Sequence, residues 1–337
     1  MLVFTIRRFV NSVFVLLAAS FFVYVFCAWK YDPLAVYRAS QPPKSAAFFA
    51  AQRRALGLDR PLVARYWDWL SHLVRFDFHS LIFLKFNFGT DVSHAEIAPQ
   101  LATRLEVTSR MILVAIVAAV ILALLLGVIS GLRHDKPIDV TITILTFVLI
   151  ALPTFWFAAL LKQGAIALND AASHRVFFTT GDQTFGIENY GSSGEIRTDQ
   201  LLHLVLPTIS LALLTASGWI RYQRQSTIEV LDADYLRLAR AKGVRWPVVV
   251  RRHGVRNALI PLVTVVALDV GALFGGAIIT EQVYVWHGMG EYLNEALKNQ
   301  DVNSVVGWVM VSAIFVVVFN LLADILYGVL DPRVRLA

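Results

Sequence analysis

Six stretches of this chain are long and apolar enough to cross a lipid bilayer, and they constrain everything else about its fold. They run over about 9–29, 111–131, 139–161, 201–220, 258–280 and 304–328. A bilayer core takes roughly 20 apolar residues in helical form. The runs are continuous rather than alternating, which predicts helices and not barrel strands. Of the 337 residues, 57% are hydrophobic and only 16% charged, whereas a soluble domain is about 25% charged. The chain is therefore expected to be an all-α membrane protein with six transmembrane helices. Its first apolar run follows Arg7 and Arg8. It is longer than a signal-peptide core of about 7–15 residues and has no A-x-A site behind it, so it is expected to stay as a membrane helix.

Charge gives the expected orientation. Nine Arg or Lys residues lie between 221 and 256, Arg133 and Lys136 follow the second run, and Arg333 and Arg335 follow the sixth. The later loops on the other side hold only Arg175, Arg197 and Lys298, with Lys162 at an edge. The segment 30–106 is also basic, but long loops count little in the positive-inside rule. Both termini are expected in the cytoplasm. The net charge of +6 sits beside apolar spans, so membrane lipid is the expected neighbour and nucleic acid is not. The chain then divides into an N-terminal transmembrane helix (1–29), an external loop with a small helical insertion (30–106), and a five-helix core (107–337) containing a cytoplasmic connector (223–257). Within the external loop, "SAAFFAAQRRALGL" and "LVARYWDWLSHLV" have helical spacing, with Asp59 and Pro61 between them. The turn-rich "TTGDQTFGIENYGSSGE" inside 162–200 suggests a short hairpin.

Catalytic signatures are missing. There is no G-x-x-x-x-G-K-[ST] phosphate loop, no H-E-x-x-H and no G-x-S-x-G; "GSSG" at 191–194 has the wrong spacing. Gly288 and Gly290 form a lone GxG. Cys27 is the only cysteine, which excludes an internal disulfide and any Cys-pair metal or redox site. The eight histidines are scattered, with His203 and His253 flanking spans. Neither a metal site nor an enzyme is expected.

The connector is the most informative stretch. "DYLRLARAKGVRWPVVVRRHGVRNALIP" (234–261) carries seven Arg or Lys against one acid. Leu231, Tyr235 and Leu238, with Ala239 beside them, predict a helix over 228–242. Gly243 follows where helices end in a left-handed residue, and Trp246-Pro247 suits the first turn of a second helix. That helix carries Arg251, Arg252 and Arg256 into the fifth span. A basic collar for anionic lipid needs charge but no elbow. A short helix with a glycine stop is better suited to docking.

"DYLRLARAKG" (234–243) and "RHGVRNALIP" (252–261) resemble the cytoplasmic EAA loop of ABC-importer permeases of the dipeptide and oligopeptide permease family. The resemblance extends along nearly the whole chain, through "LVFTIRRFV" (2–10), Asp32-Pro33, "LGLDRPL" (56–62), "NFGT" (87–90), "LLHLVLPTISLALL" (201–214), "TEQVYVWHGMGEYL" (280–293) and "LLADILYGVLDPRVRL" (321–336). Departures are His287 in place of the family's proline before Gly288, an extension around "SLIFLKFNF" (80–88), a long 162–200 loop, and Arg237 where the loop's naming glutamate is expected.

The resemblance implies a type I ABC importer permease, the first of two permease subunits, in a bacterial cytoplasmic (inner) membrane. It implies as partners a second homologous permease, two ATP-binding subunits or one fused ATPase, and an extracytoplasmic substrate-binding protein. ATP and Mg would bind on the ATPases, and no cofactor on this chain. Asp234, Tyr235, Arg237, Leu238, Ala239, Arg240, Ala241, Lys242 and Gly243 would form the ATPase-coupling helix. Peptides are the implied cargo; nickel or glutathione are alternatives within the family. An ATP-independent channel or a membrane signalling protein is an alternative outside it.

A few residues inside the spans stand out. Asp269 lies mid-span, where a carboxylate costs roughly 3 kcal/mol or more. It should face either a translocation pathway or a polar residue on another helix. Ala267, Gly271 and Gly275 form a small-xxx-small ridge for close helix packing. Asn320 and Asp324 lie one turn apart and suit structural hydrogen bonding. Pro153 and Pro207 are positions where spans kink or begin.

Overall fold

The computed structural model describes residues 2–38, 41–76 and 84–330. In chain order they form α1 (Leu2–Lys30), α2 (Ala35–Arg38), α3 (Ala46–Ala55), α4 (Leu62–Leu73), strands β1 (Val74–Phe76) and β2 (Leu84–Phe86), α5 (Ile97–Leu132), α6 (Pro137–Ala151), α7 (Thr154–Ala172), α8 (Ile187–Tyr190), α9 (Ser193–Leu231), α10 (Asp234–Ala241), α11 (Trp246–Val249), α12 (Val255–Tyr284), α13 (Met289–Lys298) and α14 (Val302–Leu330). A π-turn, Val250–Gly254, joins α11 to α12 without a break. Five helical stretches are individually long and apolar enough to span a bilayer. A sixth span exists if α6 and α7 count as one, bent by 106°.

That bend falls at Pro153, one of the positions where a span is expected to kink or begin, and it divides the run 139–161 between two helices. Leu152 is extended, with ψ 131°, and so is Pro153, with ψ 136°, immediately before α7. Proline disfavours helical geometry in the residue before it and removes a backbone donor. Pro207, by contrast, lies inside α9 without ending it. The helix also begins earlier than 201. Ser192 accepts from the Glu195 amide, and the Glu195 carboxylate accepts from the Ser192 amide, a capping box that launches the helix eight residues ahead of the apolar run. With 39 residues at 1.5 Å each, α9 is about 58 Å long, well beyond a membrane core.

Residues 108–287 with 316 onward form one compact unit. Its core joins Ala119 and Ala123 of α5, Ala212, Ala216 and Trp219 of α9, and Leu262 of α12. Small residues let these backbones approach. A Cβ on Gly127 would lie 2.6 Å from Gln223 Cβ, and one on Gly131 2.6 Å from Thr227 Cβ, so α5 meets α9 along a G-x-x-x-G seam. Toward the other end of the helices, the Tyr284 hydroxyl hydrogen-bonds Ser210 Oγ at 2.7 Å and the Ala158 carbonyl at 3.2 Å, and Lys162 Nζ donates to the Val283 carbonyl at 2.7 Å. These bonds tie α7, α9 and α12 together. Of the 162–200 segment, the ends belong to α7 and α9, and residues 173–192 hold α8 and turns. The expected hairpin is not there; the two-stranded antiparallel sheet among the described residues is β1–β2, whose second strand lies within the stretch 80–88.

Residues 2–107 with 288–315 form the other unit. The two helices expected in the external loop are α3 and α4, separated by the Asp59–Pro61 break. Tyr66 and Trp69 of α4 pack on Tyr24 of α1. Ser20 Oγ meets the Tyr66 hydroxyl at 2.9 Å, and Trp69 Nε1 donates to the Phe88 carbonyl at 3.2 Å. Cys27 is buried, as packing requires. Asp301 precedes α14, where its carboxylate accepts from the Ser304 amide at 3.1 Å and the Val92 amide at 2.9 Å. Burial pushes its carboxyl upward against those bonds, and burial lifts the nearby Tyr292 hydroxyl to about 12.

Candidate coupling surface

The connector folds as a short helix standing on a buried foot. The helix expected over 228–242 is in fact two pieces: α9 stops at Leu231, Ala233 is extended with ψ 140°, and α10 begins at Asp234. Asp232 and Asp234 flank the break. Aspartate is poor in helix interiors and favourable in a first turn. Breaking the helix lets α10 bury a different residue from the one its spacing suggests. Leu236 is 1% exposed, whereas Tyr235 and Leu238 are 43% and 57% exposed. Leu236 and the buried Val249 lie on the two helices that meet here, and Leu236 Cδ1 reaches to 3.9 Å from where a Cβ on Gly254 would stand. The apolar stripe read from the sequence therefore points away from the chain.

The C-terminal stop of α10 is well formed. Gly243 has φ +80°. Its amide donates to the Arg240 carbonyl at 2.9 Å, and the Val244 amide donates to the Ala239 carbonyl at 3.3 Å, the paired bonds of a Schellman motif. The Arg240 guanidinium sits 4.8 Å from the Trp246 ring centroid across the elbow. Pro247 lies in the first turn of α11. Asn257 Nδ2 donates to the Tyr235 hydroxyl at 2.9 Å, linking α10 to α12. Arg237 pairs with Asp234 at 3.7 Å in the open, an arrangement worth little to stability. Ala239 is half-buried, and Ala241 and Lys242 are exposed. The surface thus offers Tyr235, Leu238, Val244 and Trp246 within a rim of arginine and lysine.

Seven residues before the end of α9, Arg224 belongs to a buried ion pair. Arg224 of α9 donates to both carboxylate oxygens of Asp139, at 2.6 and 2.8 Å, and Ser130 and the Asp135 amide also donate to that carboxylate. Asp139 is 2% exposed. The pair clamps the start of α6 onto α9 and the end of α5. His134 and Asp135 lie near enough to join Asp139 as metal ligands, but both are exposed and the Asp139 carboxylate is committed to the guanidinium.

Residues 123–336 match the family described as binding-protein-dependent transport system inner membrane component. The chain belongs to that family. Residues 1–81 match the N-terminal part of such membrane components. This permease component is 35% identical over 331 residues to the oligopeptide transport system permease protein OppB of Mycobacterium tuberculosis (strain ATCC 25618 / H37Rv), covering 98% of each chain. It is 35% identical over 279 residues to the oligopeptide transport system permease protein AppB of Bacillus subtilis (strain 168), covering 83% of this chain and 82% of that one. The dipeptide transport system permease protein DppB of Escherichia coli (strain K12) is 30% identical over 318 residues, 90% of each chain. The permease is a multi-pass membrane protein of the type I ABC permease fold.

Within the permease's spans, Asp269 has a partner on another helix: Trp219 Nε1 of α9 donates to its Oδ2 at 2.7 Å. Trp219 is buried and Asp269 half-buried. Gly271 supports close packing, since a Cβ there would lie 2.9 Å from Val316 Cγ1 of α14. Ala267 is half-buried on the same helix. The surroundings of Gly275, His253 and Asp324, and residues Arg333 and Arg335, lie outside the described residues. Leu236, the Gly127–Gly131 seam and the Asp139–Arg224 pair escaped the sequence reading. The G-x-x-x-G spacing was a signal in plain view; the other two needed knowledge of which helices meet.

Proposed function

We propose that this permease is one of two membrane subunits of an ATP-driven peptide importer, set in a bacterial inner membrane with both termini in the cytoplasm. The relatives named as oligopeptide and dipeptide permeases, matched over 83–98% of this chain, support peptides as the cargo rather than nickel or glutathione. Segment 30–106 would face outward, where a substrate-binding protein delivers cargo, and 107–337 would form the translocating core. The observation that carries the coupling role is the outward face of α10 on its buried Leu236 foot. An ATPase groove would take Asp234 to Gly243, led by Tyr235 and Leu238. Displacement of α10 would pass through Leu236 and Val249 to α11, and so into α12, which carries Asp269. ATP and Mg stay on the ATPase subunits in this scheme.

The purified chain is then expected to show no ATP hydrolysis above background. Hydrolysis should appear on co-assembly with two P-loop ATPase subunits, and respond to loaded binding protein. Hydrolysis by the chain alone, surviving removal of contaminating ATPases, overturns the reading.

Asp269 would serve the pathway through the carboxylate edge that Trp219 does not hold. Asp269→Leu should leave the subunit inserted and assembled while lowering uptake, most for cargo with a cationic amino terminus. Loss of assembly instead would make the Trp219 bond its role. Uptake and assembly both equal to wild type would leave it neither.

A further inference from the structure

A cleft of about 450 Å³ opens between α6 and α9, on the same stretch of α9 that leads to the connector. We propose that it binds the headgroup of an anionic phospholipid, with the acyl chains lying on the bare apolar side of α6.

The two helices build the cleft by simple spacing. On α6, Thr143 and Phe147 are four residues apart and share a face. On α9, Gly218, Arg221 and Tyr222 do the same. Gly218 is the floor: a Cβ there would meet nothing within 4 Å, so the missing side chain leaves open space rather than a close helix contact. The Arg221 guanidinium lies 4.4 Å from the Phe147 ring centroid, and stacking fixes it at the mouth. No carboxylate pairs with Arg221 among the described residues. Arg224, one turn on, is already satisfied by Asp139. The acid further along α9, Glu229, accepts from Gln225 at 2.9 Å. Thr143 lines the cleft from α6, and Tyr222 is 56% exposed.

The surroundings decide between a soluble anion and a lipid. Ile144, Leu145, Phe147 and Val148 are each more than half exposed, in a helix that belongs to a membrane-spanning pair. Arg221 falls one residue beyond the apolar run 201–220. A guanidinium there matches a phosphodiester by charge and fork geometry, its aromatic backing strengthens it, and the acyl chains continue along α6. Which leaflet supplies the lipid follows from the orientation proposed above, the cytoplasmic one; the lipid chemistry itself does not depend on it.

The test uses the assembled transporter, taken from mixed phosphatidylcholine–phosphatidylglycerol bilayers into mild detergent, with retained lipids counted by native mass spectrometry. Wild type should keep phosphatidylglycerol over phosphatidylcholine, and excess inorganic phosphate should not displace it. Arg221→Gln should lower phosphatidylglycerol occupancy about fivefold, the ratio expected from one basic contact with anionic lipid. Gly218→Leu adds no charge, suits a helix and fills the floor, so it should cause a comparable loss. A photo-crosslinker at Tyr222 should label lipid. Equal occupancy in wild type and both variants overturns the proposal, as does displacement by phosphate. Crosslinking to the second permease subunit instead would make the cleft a subunit interface. Cysteine labelling of the connector tests the orientation separately.

Discussion

Asp139→Ala is expected to remove most of the folded permease from the membrane. The substitution leaves the Arg224 guanidinium, whose side chain is 23% exposed, without the carboxylate that takes two of its hydrogen bonds. It also strands the Ser130 hydroxyl and the Asp135 amide. Removing one member of such a buried pair costs about 3–5 kcal/mol, out of a total stability of roughly 5–15 kcal/mol. The measurement is the amount of monodisperse protein recovered from membranes, followed through a thermal ramp. Arg224→Met alone should also be damaging, because it leaves the carboxylate buried. The double variant Asp139→Leu with Arg224→Met should recover much of the loss, since apolar replacement of both partners is often neutral. Wild-type abundance and thermal stability in Asp139→Ala would mean that the clamp between α6 and α9 contributes nothing.

Gly243→Val should abolish uptake while sparing membrane abundance. Gly243 has φ +80°, and nothing lies within 4 Å of where a Cβ would stand. The penalty is therefore backbone strain and not collision. A β-branched residue there is a true conformational outlier, costing on the order of 1–3 kcal/mol. The strain is relieved by unwinding the two bonds that end α10, which re-aims Tyr235 and Leu238. The Leu236 foot and the spans are untouched, so insertion survives. Uptake per assembled complex should fall in the order wild type, Gly243→Asn, Gly243→Val, because asparagine tolerates left-handed geometry. Stimulation of ATP hydrolysis by loaded binding protein should fall in the same order. Transport by the valine variant equal to wild type, at equal abundance, would remove α10 from the coupling path.

Much was legible in the sequence alone because its signals are local. The bilayer demands a minimum apolar length, so the runs announced the spans without any knowledge of packing. Glycine at 243 and proline at 247 act through their own backbone dihedrals, so the elbow could be read from two residues. The helices of 30–106 and the absence of a phosphate loop belong to the same class. Tertiary structure decided the rest, because the rest depends on which helices touch. The spacing puts Leu231, Tyr235 and Leu238 on one helix, but the break at 232–233 leaves Leu231 on α9, and only the packing of α10 on α11 shows that Tyr235 and Leu238 face outward while Leu236 turns in. Asp139 and Arg224 are 85 residues apart, and neither has a partner until α6 lies on α9. Asp269 was visible as a charge in an apolar run, yet its hydrogen bond exists only because α12 brings it to Trp219. The bend at Pro153 lies between these cases. Proline makes a break available at both Pro153 and Pro207, and only the tertiary structure shows that the chain turns by 106° at the first and continues as helix through the second.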